Sequence, residues 1–173
     1  MKIILASAVT AFALVLSARA ADVTTKISNV HLCCNSCVTG VKKAVGTVQG
    51  ATADVDKDGG TVALTGPDKA TVQKAADALT AAGYFGASGN PDIKLDAGTG
   101  AKGEKVQMLK VEGVHLCCSA CVRAVDEAVK SVPGVKANTA AKNAKTFEVT
   151  GDFNDKDVFT ALQKEGLTGK AGK

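Results

Sequence analysis

The sequence VHLCCNSCV at residues 30–38 returns 84 residues later as VHLCCSACV at residues 114–122. The correspondence continues beyond the cysteines, because the valines and the glycine that follow one motif recur at the same spacing after the other. Similarity at a fixed interval marks a repeated structural unit. The chain therefore contains two copies of one unit, each about 70 residues long.

Each copy has the same predicted order of strands and helices. β-branched residues at 23–30 and at 106–114 predict a first strand, and valines at helical spacing after each motif predict a first helix. Alternating residues around an Asp-Gly-Gly turn predict a hairpin. Residues 72–79 predict a second helix that ends at Gly83, and Tyr84-Phe85 are predicted to begin a short last strand. The predicted fold class is therefore α+β, with two tandem ferredoxin-like βαββαβ sandwiches.

Two segments lie outside the repeated units. Residues 1–20 begin with a positive charge, continue as an apolar run and end in a small-x-small pattern, which predicts a cleaved secretory signal peptide. The run is shorter than the roughly 20 residues of a spanning helix, so no stable membrane insertion is expected after its removal. Residues 91–104 are rich in glycine and predict a linker between a domain at 22–90 and a domain at 105–173. The expected location is periplasmic or secreted.

Composition and charge narrow the function classes. A hydrophobic share of 46% with 22% charged residues is typical of a folded protein. Without Lys2 and Arg19 of the predicted signal peptide, the 21 basic residues fall to 19 against 17 acidic ones, so no nucleic-acid partner is expected. Both histidines lie inside the cysteine motifs, and no catalytic triad or paired-carboxylate arrangement stands out. The sequence therefore predicts a protein that is not an enzyme.

Each motif lies where the first strand meets the first helix. The polar residue after Cys34 or Cys118, which is Asn or Ser, is predicted to cap that helix. Cys37 and Cys121 then fall in the first helical turn, where backbone N–H groups and the helix dipole favour a thiolate. The cysteine three residues earlier can direct its sulfur to the same cation. Such a thiolate pair suits Cu(I), Zn(II) and similar soft ions and is poorly suited to Mg²⁺ or Ca²⁺.

Each motif also offers two additional donors. Alternation along the incoming strand leaves His31 and Cys33 on the solvent side near the thiolate pair, and His115 and Cys117 are their counterparts. Two thiolates favour Cu(I), whereas three thiolates and an imidazole suit Zn(II), Cu(I) or Hg(II), with about one ion per domain. The candidate metal ligands are therefore Cys33, Cys34, Cys37, Cys117, Cys118, Cys121, His31 and His115.

These residues resemble the heavy-metal-associated domain family, which includes copper chaperones, N-terminal regions of copper-exporting ATPases and periplasmic mercury-binding proteins. The family motif is Gly-Met-x-Cys-x-x-Cys on the first βα loop of the same fold. Cys34 with Cys37, and Cys118 with Cys121, match the two metal-binding cysteines of the family. Gly83-Tyr84 matches a family Gly-Tyr whose side chain shields the site. The chain departs from the motif by a histidine in place of glycine and by one additional cysteine in each copy. The resemblance implies a metal-transporting or metal-accepting protein as partner.

Disulfide chemistry is the competing interpretation of the cysteines. An exported protein occupies an oxidising compartment, where the thiols could act in thiol/disulfide redox chemistry or stabilise an interaction module. Three thiols per copy leave one unpaired within each domain, which favours a metal cluster, although a Cys33–Cys117 bridge between the copies would complete the pairing. The sequence thus predicts an exported soft-metal-binding protein that sequesters or hands over its ion, with disulfide chemistry as the alternative.

Overall fold

The element order βαββαβ occurs twice in residues 21–172, the part of the chain that the computed structural model describes. The first unit contains β1 (Val23–Ser28), α1 (Asn35–Val45), β2 (Thr52–Asp56), β3 (Thr61–Gly66), α2 (Lys69–Ala81) and β4 (Ala87–Ser88). The second contains β5 (Lys105–Glu112), α3 (Ser119–Lys130), β6 (Val135–Asn138), β7 (Thr146–Asn154), α4 (Asp155–Lys164) and β8 (Lys170–Ala171). Two antiparallel sheets, ordered β2-β3-β1-β4 and β6-β7-β5-β8, confirm the predicted fold class.

One face of each sheet packs against the two helices of its unit. In the first unit, Val62 and Leu64 of β3 are fully buried and alternate with more exposed neighbours. Val41 and Val45 lie on the buried side of α1, as the valine spacing predicts. Because these side chains are small, the helices and sheet approach closely around a modest core. This packing fixes the start of α1, where the cysteine motif lies.

The N-cap of each motif helix lies one residue earlier in the sequence than predicted. Cys34 and Cys118 have extended backbone and are the N-caps, so the prediction that Asn35 and Ser119 cap these helices is wrong. The extended conformation belongs to the cysteine, and the polar residue after it already has helical geometry. The Cys37 N–H donates to the Cys34 carbonyl oxygen at 3.0 Å. The first two cysteines of each motif thus lie on the loop and the third lies in the helix.

The segment 91–104 that joins the units is hydrogen-bonded to both of them. Ile93 is buried, and the Gln73 side chain donates to the Lys94 carbonyl oxygen at 2.7 Å while accepting from its N–H at 2.9 Å. At the other end, the buried Asp155 carboxylate accepts the backbone N–H groups of residues 102–104 at 2.7–3.0 Å. These contacts hold the segment along the protein surface instead of leaving it as a free tether.

The two units meet along the segments that follow α2 and α4. Tyr84 pairs with Leu167 in an isolated antiparallel bridge, and the flanking residues donate two backbone hydrogen bonds of 3.0 Å across the interface. The prediction that Tyr84 begins the last strand of its own sheet is therefore wrong, since β4 begins at Ala87. The backbone of Tyr84 instead pairs with Leu167 of the other unit. Both side chains of the bridge are fully buried.

Two glycines allow this close approach. Gly83 and Gly166 immediately precede the bridged residues, with φ of +88° and +72°. A Cβ on Gly83 would lie 2.5 Å from the His115 nitrogen, and a Cβ on Gly166 would lie 2.5 Å from the His31 nitrogen. Because each glycine lacks a Cβ, the backbone of the histidine that follows the first strand of the opposite unit can lie against it. This close approach brings the two cysteine loops together.

The predicted signal peptide at residues 1–20 lies outside the described residues. Among the helices of residues 21–172, none is long and apolar enough to cross a membrane.

Candidate metal centre

The two cysteine loops face each other, and their sulfurs form one cluster across the interface. All six side chains are half-buried or buried, with Cys37 and Cys121 fully enclosed. Within a unit, neighbouring Sγ atoms lie 3.6–3.9 Å apart. Between units, the Sγ–Sγ distances are 3.2 Å for Cys33–Cys118, 3.4 Å for Cys33–Cys121, 3.5 Å for Cys34–Cys117 and 3.6 Å for Cys37–Cys117.

The six cysteines, all within residues 21–172, are free thiols. A disulfide requires a sulfur–sulfur distance of about 2.05 Å, and the shortest contact in the cluster is 3.2 Å. The separations instead resemble those of sulfurs that share a cation. With a Zn–S bond of about 2.3 Å, two ligands of a tetrahedral site lie about 3.8 Å apart.

The sulfurs form two overlapping groups of four, and within each group all ligand atoms lie within 4.8 Å of one another. In each group, four of the six Sγ–Sγ separations are 3.2–3.9 Å, close to the tetrahedral value. Every member is a cysteine, and such all-sulfur sets select soft ions. The groups are Cys33, Cys34, Cys37 and Cys117, and Cys33, Cys117, Cys118 and Cys121.

Neither histidine belongs to these groups. The predicted alternation is confirmed, because Val30 and Leu32 are buried while His31 is partly exposed, and His115 is partly exposed in the same way. The His115 ring stacks on Tyr84 with a centroid distance of 4.6 Å. The His31 backbone N–H donates to the Gly166 carbonyl oxygen of the opposite unit at 3.2 Å. Cys33 and Cys117 likewise turn towards the other loop. At these strand ends the other unit therefore covers part of the face that alternation assigns to water.

Both imidazoles keep one unused polar atom. The Nε2 atoms of His31 and His115 are buried and have no hydrogen-bond partner among residues 21–172. Burial lowers the pKa of His31, so its imidazole is held in the neutral form. A neutral imidazole nitrogen is a metal donor. The structure therefore places the histidines beside the cluster as interface residues, and their role as ligands stays a prediction.

The ionisation of the thiols is coupled. The pKa of Cys37 is lowered, chiefly by its hydrogen bond with the Cys121 thiol and also by His115, whereas the pKa of Cys121 is raised, chiefly by the same hydrogen bond and then by burial. Burial raises the pKa of Cys33 to about 12. The backbone N–H of Cys121 lowers the pKa of Cys118 to about 6. Thiolates this close repel one another, so a bound cation is needed before the whole set can ionise.

Tyr84 covers the first motif from the interface side. Its hydroxyl donates to the Cys37 carbonyl oxygen at 3.0 Å, and its ring lies between α1 and His115. Gly40 of α1 makes room for this, because a Cβ there would clash with the Tyr84 hydroxyl and lie 3.1 Å from the His115 ring. Sequence reasoning missed Gly40. The available signal was a glycine inside a helix where the second copy has Ala124.

No protein-family model matches the chain, and no curated protein matches it. Solved structures that match the chain include the N-terminal soluble domains of Bacillus subtilis CopA, at 16% identity and a TM-score of 0.32, covering 88% of this chain and 95% of that one. The water-soluble region of the P-type ATPase CopA from Bacillus subtilis gives 17% identity, a TM-score of 0.28 and coverages of 88% and 92%. The first two RRM domains of yeast poly(U) binding protein give 10% identity and a TM-score of 0.24, covering 86% of this chain and 97% of that one.

Proposed function

We propose that this protein is an exported binder of soft metal ions, with Cu(I) as its principal cargo and Zn(II) or Hg(II) as alternatives. It sequesters the ion or passes it to a metal-transporting or metal-accepting protein, and it is not an enzyme. The observation that carries this proposal is the convergence of six free cysteine sulfurs at the meeting point of the two units. Export rests on the signal-peptide pattern of residues 1–20.

The donor set supports a soft ion over a hard one. Both four-sulfur groups consist of cysteine alone and contain no carboxylate or carbonyl donor. Thiolates bind Cu(I), Zn(II) and Hg(II) strongly, whereas Mg²⁺ and Ca²⁺ require oxygen ligands. Cu(I) is favoured as cargo because it accepts two or three thiolates, so an incompletely coordinated ion can still be held during transfer.

The exposure of the loop supports transfer by ligand exchange. Cys34 and Cys118 are partly exposed at the loop, whereas Cys37 and Cys121 are enclosed by their helices. A thiolate of the partner would form a bond to the metal while the bond from Cys34 or Cys118 breaks. The departing sulfur remains a thiolate or takes up the proton that the partner thiol lost, so charge and ligand number are conserved.

Thiol/disulfide redox chemistry is the second candidate, favoured by the 3.2 Å contact between Cys33 and Cys118. A disulfide partner would accept two electrons and two protons from these thiols as their bond forms. Cys33 belongs to both four-sulfur groups, so this oxidation would remove a ligand from each. Metal binding and disulfide formation therefore compete for the same atoms.

The test is an anaerobic titration of the reduced protein with Cu(I), Zn(II) and Hg(II), followed by native mass spectrometry. The Cys34→Ser/Cys118→Ser double variant is expected to lose bound metal or to bind it at least tenfold more weakly. The matched control is Ser36→Ala, which alters an exposed residue between two of the cysteines and is expected to bind as the unaltered protein does. Full stoichiometry and affinity in the double variant would contradict the proposal.

A further inference from the structure

We propose that the two cysteine loops form one dinuclear centre, in which Cys33 and Cys117 each bridge two metal ions. This inference rests on the proposed soft-metal function and replaces two separate metal sites by one shared site. Instead of one independent ion in each domain, two ions share a single six-sulfur site that neither domain can complete alone.

The bridging positions follow from the overlap of the two four-sulfur groups. Cys33 and Cys117 belong to both groups, and each remaining cysteine belongs to one. The first group then has Cys34 and Cys37 as its terminal ligands. The second group has Cys118 and Cys121. Two tetrahedra that share an edge have this connectivity. The cysteine that is additional to each CxxC pair is thus the one that bridges.

The number of sulfurs agrees with shared ligands. Two separate four-coordinate sites need eight donors, whereas two sites that share two bridging thiolates need six, the number of cysteines in the chain. The same six sulfurs can also bind two three-coordinate ions, because each ion would be held by its terminal pair and by one of the two bridging cysteines. The chain thus has the thiols for two four-coordinate, all-thiolate sites only when the two copies share ligands.

The sulfur–sulfur distances would give both ions the same environment. The Cys33–Cys37 separation of 3.6 Å corresponds to 3.7 Å for Cys117–Cys121, and the terminal pairs measure 3.8 Å and 3.9 Å. The contacts between the loops correspond in the same way. The Sγ atom of Cys117 lies 3.5 Å and 3.6 Å from the terminal pair of the first unit, and the Sγ atom of Cys33 lies 3.2 Å and 3.4 Å from that of the second. The two units are therefore related by an approximate two-fold axis through the cluster, and the bridging sulfurs are equivalent.

The interface positions these sulfurs without help from the metal. The Tyr84–Leu167 bridge is formed by residues outside the cysteine loops, and the Gly83 and Gly166 regions hold those loops through backbone contacts with His115 and His31. The cluster is consequently preorganised, and little chain entropy is lost when an ion binds. Because each ion would have ligands from both units, metal binding would also stabilise the interface.

The experiment is ¹¹³Cd NMR of the reduced protein loaded with ¹¹³Cd(II), a spin-active soft ion. A bridging sulfur transmits scalar coupling between two cadmium nuclei, so we expect two ions per chain whose resonances split each other. The Cys33→Ser variant should lose or shift both resonances. The Cys34→Ser variant, which removes a terminal ligand, should mainly affect one. Circular dichroism of each metal-free variant checks that the fold is retained.

The outcomes separate this inference from the function on which it rests. Two uncoupled resonances, each changed only by variants of its own unit, would overturn the shared centre while leaving metal binding intact. A single bound ion would also overturn it. Failure of the protein to bind either Cd(II) or Cu(I) would overturn the proposed function as well.

Discussion

Replacing Gly166 by alanine tests whether the two units meet as described. Gly166 has φ of +72°, which costs an alanine about 1–2 kcal/mol. Its Cβ would lie 2.5 Å from the His31 nitrogen and from the Asn29 carbonyl oxygen, whereas ordinary contact begins at 3.4 Å. Both obstacles are backbone atoms, so the interface must open by about 0.9 Å.

That opening has two consequences of calculable size. It breaks the hydrogen bonds that the His31 and Phe85 N–H groups donate to the Gly166 carbonyl oxygen at 3.2 Å and 3.0 Å. At about 0.5–1.5 kcal/mol each, their loss adds about 1–3 kcal/mol to the backbone strain. If the shift reaches the cluster, the closest contacts between the cysteine loops lengthen from 3.2–3.6 Å to roughly 4.1–4.5 Å, beyond the about 3.8 Å of a tetrahedral site.

The assay is urea unfolding of the reduced, metal-free protein together with competition for metal against a chromophoric chelator. Gly100→Ala is the matched control, since Gly100 has φ of +73° and nothing within 4 Å of an added Cβ. We expect Gly166→Ala to lower the free energy of unfolding by about 1–3 kcal/mol more than the control, and only Gly166→Ala to weaken metal binding. Equal effects of the two substitutions in both measurements would refute the interface.

Three further substitutions test other parts of the structure. Tyr84→Phe removes the hydrogen bond to the Cys37 carbonyl oxygen and should lower the free energy of unfolding in urea by about 1 kcal/mol; no change would show that this hydroxyl is not buried against α1. Leu64→Ala should cost about 2–5 kcal/mol in the same assay, against almost nothing for Met108→Ala, whose side chain is 60% exposed; similar costs would contradict the assigned core. Burial alone would raise the pKa of Asp155, but the N–H groups of residues 102–104 hold it below its ordinary value. Its stabilisation is therefore present above pH 4 or so and is lost as the pH falls through the lowered pKa. Asp155→Asn should flatten the acid dependence of the free energy of unfolding, while Asp157→Asn on the exposed side of α4 should not; a full acid dependence in Asp155→Asn would exclude this role.

The fold of each unit was predictable because its determinants are local. The valines of α1 bury the side of the helix that their spacing indicates, and the strands on both sides of the Asp-Gly-Gly turn pair in the expected hairpin. The motif also lies where predicted, between first strand and first helix. Such patterns depend on neighbours within a few residues, so they can be read without knowing the tertiary structure.

The contact between the units was not predictable in the same way. Gly166 and His31 are far apart in the sequence, and nothing in the local pattern indicates that one admits the other. The strand assigned to Tyr84 was wrong for this reason, and the contact of His31 with the other unit was not predicted. Periodicity distinguishes a buried face from an exposed one, but it does not identify the surface that covers it.

The candidate site illustrates both cases. The CxxC pairs and the additional cysteines were recognised from their spacing and from the repeat, and the structure places all six together. Their arrangement into two overlapping groups depends on the distance between Cys33 and the α3 loop, which only the folded chain fixes. The sequence nevertheless contained one indication, since three thiols per copy are too few for a four-coordinate site made of thiolates alone.

The most direct measurement of the central claim is thiol alkylation of the reduced protein before and after anaerobic loading with Cu(I), followed by mass spectrometry of intact chains and peptides. If sulfurs from both units hold the metal, the loaded protein should retain metal and all six cysteines should be protected together, then become reactive together when a chelator removes the ion. Alkylation of Cys33 and Cys117 in the loaded protein while the CxxC pairs stay protected would contradict a shared site, and alkylation of all six would contradict metal binding itself.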